Sequence, residues 1–148
     1  MSETLEVVVH RRYYEAEGIL CLELHPAQTE SLPAFTAGAH IDVHVPGGEI
    51  VRQYSLVNDP RETHRYVIAV QLDPASRGGS AGVHHFIQEG QRLTISTPRN
   101  HFELVDAPQF MLIAGGIGIT PLLAMAQHLH QQHIDFSLHY VARTQARM

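Results

Sequence analysis

The segment Ala114–Pro121 sets three glycines, a threonine and a proline between two apolar stretches. The run Phe110–Ile113 predicts a buried strand before it, and Leu122–Leu129 predicts a helix after it. A strand, a glycine turn and a helix N-terminus together present backbone N–H groups to a pyrophosphate. Pro121 replaces the third glycine of the usual dinucleotide fingerprint and suits a first helical turn, behind Thr120 as the N-cap. A turn without a nucleotide is the alternative. The residues expected to bind the dinucleotide are Gly115, Gly116, Gly118, Thr120 and Pro121.

The tetrapeptide Arg52-Gln53-Tyr54-Ser55 brings a guanidinium, a phenol and a hydroxyl onto one predicted strand. The guanidinium can bind a phosphate through paired hydrogen bonds, and the phenol can lie against a ring system or a ribityl chain. The serine hydroxyl, or its N–H, can reach a ring nitrogen, so this set suits a flavin. Strand alternation puts Arg52 and Tyr54 on one face and Ser55 on the other. The alternative is an ordinary surface strand with no ligand.

A second candidate anion site is Gly78-Gly79-Ser80, which precedes a short predicted helix over 81–88. The glycines allow close backbone approach, and the Ser80 hydroxyl can cap the helix or hydrogen-bond a phosphate. The alternative is a flexible loop that ends in a serine N-cap.

The elements that must position these residues fall into two parts with different periodicity. Short strands with turn signals and one helix predict a six-stranded antiparallel barrel over 1–107. After Pro108, a strand, a helix and a second strand predict one parallel βαβ unit over 108–148, the opening of a nucleotide-binding domain. The predicted strands lie at 5–10, 19–24, 40–45, 50–57, 66–71 and 92–96, and the βαβ unit at 110–114, 120–131 and 136–141.

Composition excludes several classes of function. The 148 residues carry a net charge of −5, which argues against a nucleic-acid partner. The single cysteine, Cys21, excludes an internal disulfide and a four-cysteine iron–sulfur cluster in this sequence. No apolar run approaches the roughly 20 residues of a membrane span, and the acidic start lacks a signal peptide, so we expect a cytoplasmic protein without membrane contact. The 12 histidines lack helical zinc spacing, and we expect no metal site.

The order of the motifs resembles that of a known family. Together with the glycine turn, five segments resemble the phthalate dioxygenase reductase family, a branch of the ferredoxin–NADP reductase superfamily that includes vanillate demethylase reductases. The resemblance covers nearly the whole chain. The five segments are Phe35–Ile41, Arg52–Leu56, Arg77–Ser80, Thr97–Phe102 and Leu138–Tyr140.

The resemblance implies an NADH-dependent FMN oxidoreductase that passes electrons through a [2Fe–2S] centre to a Rieske-type oxygenase. In such a protein the redox chemistry belongs to the cofactors, and no side chain is expected to act as acid, base or nucleophile. Val70 and Gln71 are expected to offer backbone groups to the pyrimidine side of the flavin. By the same resemblance, the flavin site comprises Arg52, Gln53, Tyr54, Ser55, Val70, Gln71, Gly78, Gly79 and Ser80.

The resemblance also implies parts that this sequence lacks. Family members continue with further βα units and a plant-type [2Fe–2S] domain whose cysteine motif is absent here. We therefore expect an N-terminal fragment, with the iron–sulfur centre only in the remaining part. FMN is preferred to FAD because Arg52 and the helix start at Ser80 form paired anion sites that suit a terminal phosphate. NADPH is the alternative to NADH. A non-catalytic flavin-binding module and an FAD-containing ferredoxin or flavodoxin reductase are the alternatives for function.

Overall fold

The alternating apolar residues of the first two-thirds of the chain form six antiparallel strands. The computed structural model describes residues 3–47, 49–72 and 79–148, with the side chains at 79, 80, 85, 86 and 147 outside the description. The strands are β1 (Thr4–Ala16), β2 (Ile19–Pro26), β3 (His40–Val45), β4 (Ile50–Ser55), β5 (Tyr66–Gln71) and β6 (Arg92–Ser96).

The six strands form one sheet that curls into a barrel. Their order is β4-β3-β6-β1-β2-β5, so β4 and β5 are the two edge strands. Just past β4, the Val57 N–H donates to the carbonyl of Val67 in β5 at 2.9 Å and ties the two edges together. We call this line of approach the β4–β5 seam. The barrel interior is filled by buried apolar side chains, among them Val7, Leu20, Leu22, Leu24, Ile41, Val43, Leu56, Ile68 and Ile95.

Helix α1 (Gly79–Phe86) closes one end of the barrel and contacts β3, β4 and β5. Val83 within it and Ile87 just after it are both fully buried in the barrel core. Their spacing of four residues puts them on one face of the helical turn, which explains why this short segment docks there. The helix lies two residues earlier than the predicted span of 81–88.

The chain after Pro108 forms the predicted strand–helix–strand unit. Its two strands are parallel, paired from Gln109 with Asp135 to Gly115 with Val141. The helix packs one face of this sheet through Leu112, Leu122, Met125 and Leu129. The opposite face leaves Met111, Ile113 and Val141 about two-thirds exposed. The elements are β7 (Gln109–Gly115), a 3₁₀ turn (Gly116–Gly118), α2 (Ile119–Gln131) and β8 (Asp135–Val141).

The barrel and the βαβ unit are joined by close contacts around α2. Gly38 adopts a φ of +98°, and a Cβ atom there would lie 2.1 Å from the Phe102 carbonyl oxygen and 3.0 Å from Met125 Cε. On the other side of the joint, the Gln127 amide donates to the Val57 carbonyl at 2.9 Å, and the Gln131 amide donates to Asp59. Neither helix in the described part of the chain is both long and apolar enough to cross a bilayer.

Candidate functional site

The β4–β5 seam gathers several of the residues that the sequence singled out. The five strand pairings are all antiparallel, so β4 and β5 themselves run in opposite directions. Tyr54 lies three residues before Val57, and Val70 lies three residues after Val67, so both line the same stretch of the seam. In the described residues β4 pairs only with β3 along its length, which leaves its other edge facing this seam.

Strand alternation divides the tetrapeptide between two faces, as predicted. Tyr54 lies opposite Ile41, and Arg52 lies opposite Val43, so both share the face of the apolar core. Tyr54 is half-buried, and burial raises its pKa above the ordinary 10.0 while the Arg52 charge lowers it in part. The phenol is therefore neutral near pH 7 and retains its hydrogen-bond donor.

Among the described residues, Arg52 has no carboxylate partner of the kind that several other arginines have. In the described part of the chain its guanidinium donates only to the Val51 carbonyl, at 3.0 Å. An exposed guanidinium held by one neutral acceptor keeps most of its donors available for an anion. The arginines that pair with carboxylates are Arg61, Arg65, Arg92 and Arg99.

Gln53 and Ser55 lie on the outer face, where they line an open cleft of about 360 Å³. The motifs around 38–40 and 101–102 supply its other walls, although sequence reasoning assigned them no site role. The β3–β4 register sets His40 opposite Ser55, and a backbone bridge between His40 and Arg99 brings the segment at 101–102 alongside. The lining residues are Gly38, His40, Gln53, Ser55, His101 and Phe102.

An Arg99–Asp42 ion pair lies beside His40 at the wall of this cleft. The Arg99 Nη2 atom donates to the Asp42 carboxylate at 2.6 Å and lies 3.5 Å from the His40 Nε2 atom. Burial, and next the Arg99 charge, lower the pKa of His40 from its ordinary 6.5, with His101 adding to the effect and Asp42 opposing it. His40 is therefore a neutral imidazole near pH 7.

The predicted phosphate segment is described only from its second residue. Gly78 lies outside the described residues, and the backbone of Gly79 and Ser80 opens α1. Val70 is fully buried, and its carbonyl oxygen already accepts a hydrogen bond from His84 Nε2 at 2.9 Å. In the β2–β5 ladder Val70 is paired with Leu20, two residues from the Gly18–Leu72 pair that shares a backbone hydrogen bond, so its backbone groups also face β2. Gln71 ends β5 and is partly exposed.

The glycine turn has the predicted strand–turn–helix context, and its 3₁₀ segment contacts β5. Gly116 has a φ of +55°, which favours glycine. A Cβ atom at Gly115, Gly116 or Gly118 would meet no described atom within 4 Å. The backbone torsion accounts for Gly116, whereas packing within the described chain gives no reason for Gly115 and Gly118 to be glycines. Pro121 lies in the first turn of α2, as predicted.

The prediction that Thr120 caps the helix is wrong. The N-cap position of α2 is Gly118, which has helical torsion angles and makes no side-chain cap bond. The 3₁₀ turn runs directly into the helix, so no extended residue remains to act as a side-chain cap. Thr120 is instead buried, and its hydroxyl donates to the Ile117 carbonyl at 3.0 Å. This hydrogen bond lies within the turn and stabilises it.

One group of side chains on the outer wall of the barrel has ligand atoms within 4.8 Å of one another: His10, Glu23 and His25. The two imidazole rings stack with centroids 3.9 Å apart, and His25 Nε2 lies 2.9 Å from the Glu23 carboxylate. Arg65 also approaches that carboxylate, at 3.5 Å, and its charge opposes a cation there. Sequence spacing missed this group because the β1–β2 register assembles it.

Comparison with known proteins agrees with this architecture. No protein-family model matches the chain. It is 54% identical over 144 residues to a vanillate O-demethylase oxidoreductase of Pseudomonas putida, covering 97% of this chain and 45% of that protein. It is 52% identical over 130 residues to a phthalate 4,5-dioxygenase reductase subunit of Pseudomonas putida, covering 86% of this chain and 40% of that protein.

A solved phthalate dioxygenase reductase matches the fold with a TM-score of 0.94 at 41% identity, over 98% of this chain and 46% of that one. The chain thus spans slightly less than half the length of the relatives it matches. This match therefore includes the barrel, the seam and the glycine turn. Over nearly its whole length this chain is therefore similar to vanillate O-demethylase and phthalate dioxygenase reductases, and it has the ferredoxin reductase-like fold.

Proposed function

We propose that this chain binds FMN at the β4–β5 seam and receives a hydride from NADH bound at the glycine turn. The observation that carries the proposal is the meeting of two parts: the 3₁₀ segment Gly116–Gly118 contacts β5, the strand that forms one side of the seam. A flavin along the seam and a nicotinamide at the turn are thereby brought next to each other, which is the requirement for direct hydride transfer.

The residues at the seam suit a phosphorylated flavin. Arg52 has donors available for the phosphate, and the first turn of α1 at Gly79 and Ser80 offers backbone N–H groups to the same anion. Tyr54 presents a neutral ring for the ribityl chain or the ring system. Gln53 and Ser55 face the adjoining cleft, from which the Ser55 hydroxyl can reach the ring edge. Val70 and Gln71 flank the pyrimidine side.

At the turn, the bare backbone of Gly115, Gly116 and Gly118 suits the pyrophosphate of the dinucleotide. Thr120 holds the Ile117 carbonyl, and Pro121 starts the helix that follows. When bound, the flavin supplies the conversion between a two-electron hydride and single electrons. The protein orients the two rings and shields them from water, and none of its side chains needs to exchange a proton.

For the longer protein, we propose a reductase component that serves a Rieske-type oxygenase through a [2Fe–2S] centre outside this chain. The division into a flavin barrel over 1–107 and the first part of an NAD-binding domain over 108–148 belongs to this proposal. Its support lies in the relatives. Two of them are named for vanillate O-demethylation and phthalate dioxygenation, and the solved reductase is described as transferring electrons from pyridine nucleotides to [2Fe–2S].

The test begins with the chain reconstituted with FMN under anaerobic conditions. Addition of NADH is expected to bleach the flavin absorbance on a catalytic timescale. Flavin that binds but stays oxidised would contradict the hydride step and favour a non-catalytic flavin-binding module. Tighter binding of FAD than of FMN would favour the FAD-containing alternative. NADPH in parallel decides the nucleotide preference.

Substitution of Arg52 tests the phosphate contact. Arg52→Ala is expected to weaken FMN binding roughly tenfold or more, since charge-assisted hydrogen bonds to the phosphate are lost. Riboflavin, which has no phosphate, is expected to bind almost equally well to both proteins. Arg92→Ala is the matched control, because Arg92 is exposed on β6 and pairs with Glu6. Equal weakening of FMN and riboflavin would refute the phosphate role.

A further inference from the structure

Helix α1 is held at its C-terminal end by a side chain from β1. The Arg12 Nε atom donates to the Ile87 carbonyl at 3.0 Å, and its Nη2 atom donates to the His84 carbonyl at 2.5 Å. These are carbonyl groups of the kind left without partners where a helix ends, and a cation there also interacts favourably with the helix dipole. Both Arg12 contacts therefore lie at the end of α1 opposite to Gly79.

A second tie reaches from the middle of the helix to the seam. The His84 side chain is buried, and its Nε2 atom lies 2.9 Å from the Val70 carbonyl oxygen. Because that oxygen can only accept, Nε2 must carry the proton. Nδ1 is then an acceptor, and the Tyr14 hydroxyl lies 3.4 Å from it. A single imidazole thus connects β1, α1 and β5.

The strand residue at the end of this tie has a particular position. Val70 lies on β5 in the stretch of the seam that Tyr54 lines from β4, where the flavin is proposed to bind. Among the described residues, the bond from the His84 imidazole to the Val70 carbonyl is the one side-chain hydrogen bond that joins α1 to β5, the strand that lines the seam. Val83 and Ile87 hold the helix by apolar packing, which resists separation but is non-directional and tolerates small sliding. A directed hydrogen bond fixes the helix along β5 as well.

We propose that His84 is a positioning residue for the flavin phosphate, which rests on the proposed binding of FMN at the seam. By fixing α1 against Val70, its ring sets the distance between the N-terminal turn of the helix and the strand edge beside Tyr54. The phosphate and the flavin ring must fit these two places at the same time. Loss of the tie lets the helix N-terminus shift relative to the ring site without removing either one.

The test compares FMN with riboflavin on a series of His84 variants of the full chain. His84→Leu removes the donor, and we expect FMN binding to weaken roughly fivefold to tenfold while riboflavin binding changes less than about twofold. His84→Gln places an amide nitrogen near the former Nε2 position and is expected to restore FMN binding largely. His84→Asn places its amide nearer the former Nδ1 position and is expected to behave like His84→Leu.

Thermal unfolding without flavin separates positioning from loss of fold. If His84→Leu does not fold, the glutamine and asparagine variants give the same comparison. Two results would overturn the proposal. One is an equal loss of affinity for FMN and for riboflavin, and the other is a His84→Gln variant that binds FMN no better than the His84→Asn variant. Failure of the unmodified chain to bind FMN, or equal loss of both ligands in Arg52→Ala, would instead overturn the proposed function. Tyr14→Phe, which leaves the Nε2 bond intact, is the control and is expected to bind FMN normally.

Discussion

Gly38 lies where a side chain would collide with the Phe102 backbone and press on Met125 of α2. Its φ of +98° and the 2.1 Å separation between a Cβ atom and the Phe102 carbonyl oxygen allow only glycine. We expect Gly38→Ala to lower the free energy of unfolding by about 3 kcal/mol, from strain and from backbone displacement. Chemical denaturation measures the loss.

Gly18 is the matched control for that substitution. It also has a positive φ, +69°, but a Cβ atom there would meet no described atom within 4 Å. Gly18→Ala should therefore cost only the torsional strain, about 1 kcal/mol. Similar losses in the two variants would mean that the approach to Phe102 is not restrictive.

His40 is expected to make stability depend on pH. Its pKa is lowered in the folded state by burial and by Arg99, so the unfolded chain binds the proton more readily. The free energy of unfolding should therefore fall as the pH drops from 7 through 6.5 and below, until the folded-state pKa is passed. Melting temperatures from pH 7.5 to 5.0 measure this slope, and His40→Gln should make it shallower. An unchanged slope would show that other groups cause it.

For individual residues, the sequence predicts well which face of a strand a side chain lies on, and predicts poorly which other residues surround it. The alternation of β4 correctly separated Arg52 and Tyr54 from Ser55, because a strand repeats every two residues. The histidine-lined cleft beside Ser55 was not predictable, since His40 and His101 lie 61 residues apart in the numbering and meet only through the fold. The prediction that Thr120 caps α2 was wrong for a local reason, because the 3₁₀ turn that precedes it runs directly into the helix.

Among the elements, β7 has two faces with very different surroundings. Leu112 is buried against α2, whereas the adjacent Ile113 is 68% exposed. We expect Leu112→Ala to lower the free energy of unfolding by about 2 to 4 kcal/mol, because it leaves a cavity under the helix. Ile113→Ala should cost less than about 1 kcal/mol. Urea denaturation of both variants measures the contrast, and equal costs would contradict the packing of α2 on this face.

The observed bounds of the strands show which sequence signals were sufficient to predict where a strand begins and ends. Strands β3, β5 and β6 match their predicted bounds, since each is a short period-two or apolar run between turn residues. Strand β1 continues to Ala16, beyond the predicted end at His10, because its polar second half pairs with β2 across the tight turn at Gly18. Pairing to a neighbouring strand, rather than any apolar pattern, extends it.

Over the whole molecule, strand count and the change of periodicity after Pro108 were enough to predict a six-stranded antiparallel barrel followed by a βαβ unit. The strand order and the closure between β4 and β5 were not predictable, because they depend on pairings between distant segments. The same holds for the joint at Gly38 and for the anchoring of α1 by Arg12 and His84. These long-range contacts decide how the candidate site is assembled.

Val57 has two roles that meet in one short stretch of backbone. Its N–H closes the barrel by bonding Val67, and its carbonyl receives the Gln127 amide from α2. Barrel closure and the docking of α2 therefore use hydrogen bonds of the same residue, alongside the further contacts of α2 at Gly38 and Asp59. We expect this arrangement to couple the two parts thermodynamically, because opening the seam shifts the Val57 carbonyl that α2 binds, and detaching α2 frees the backbone that closes the seam.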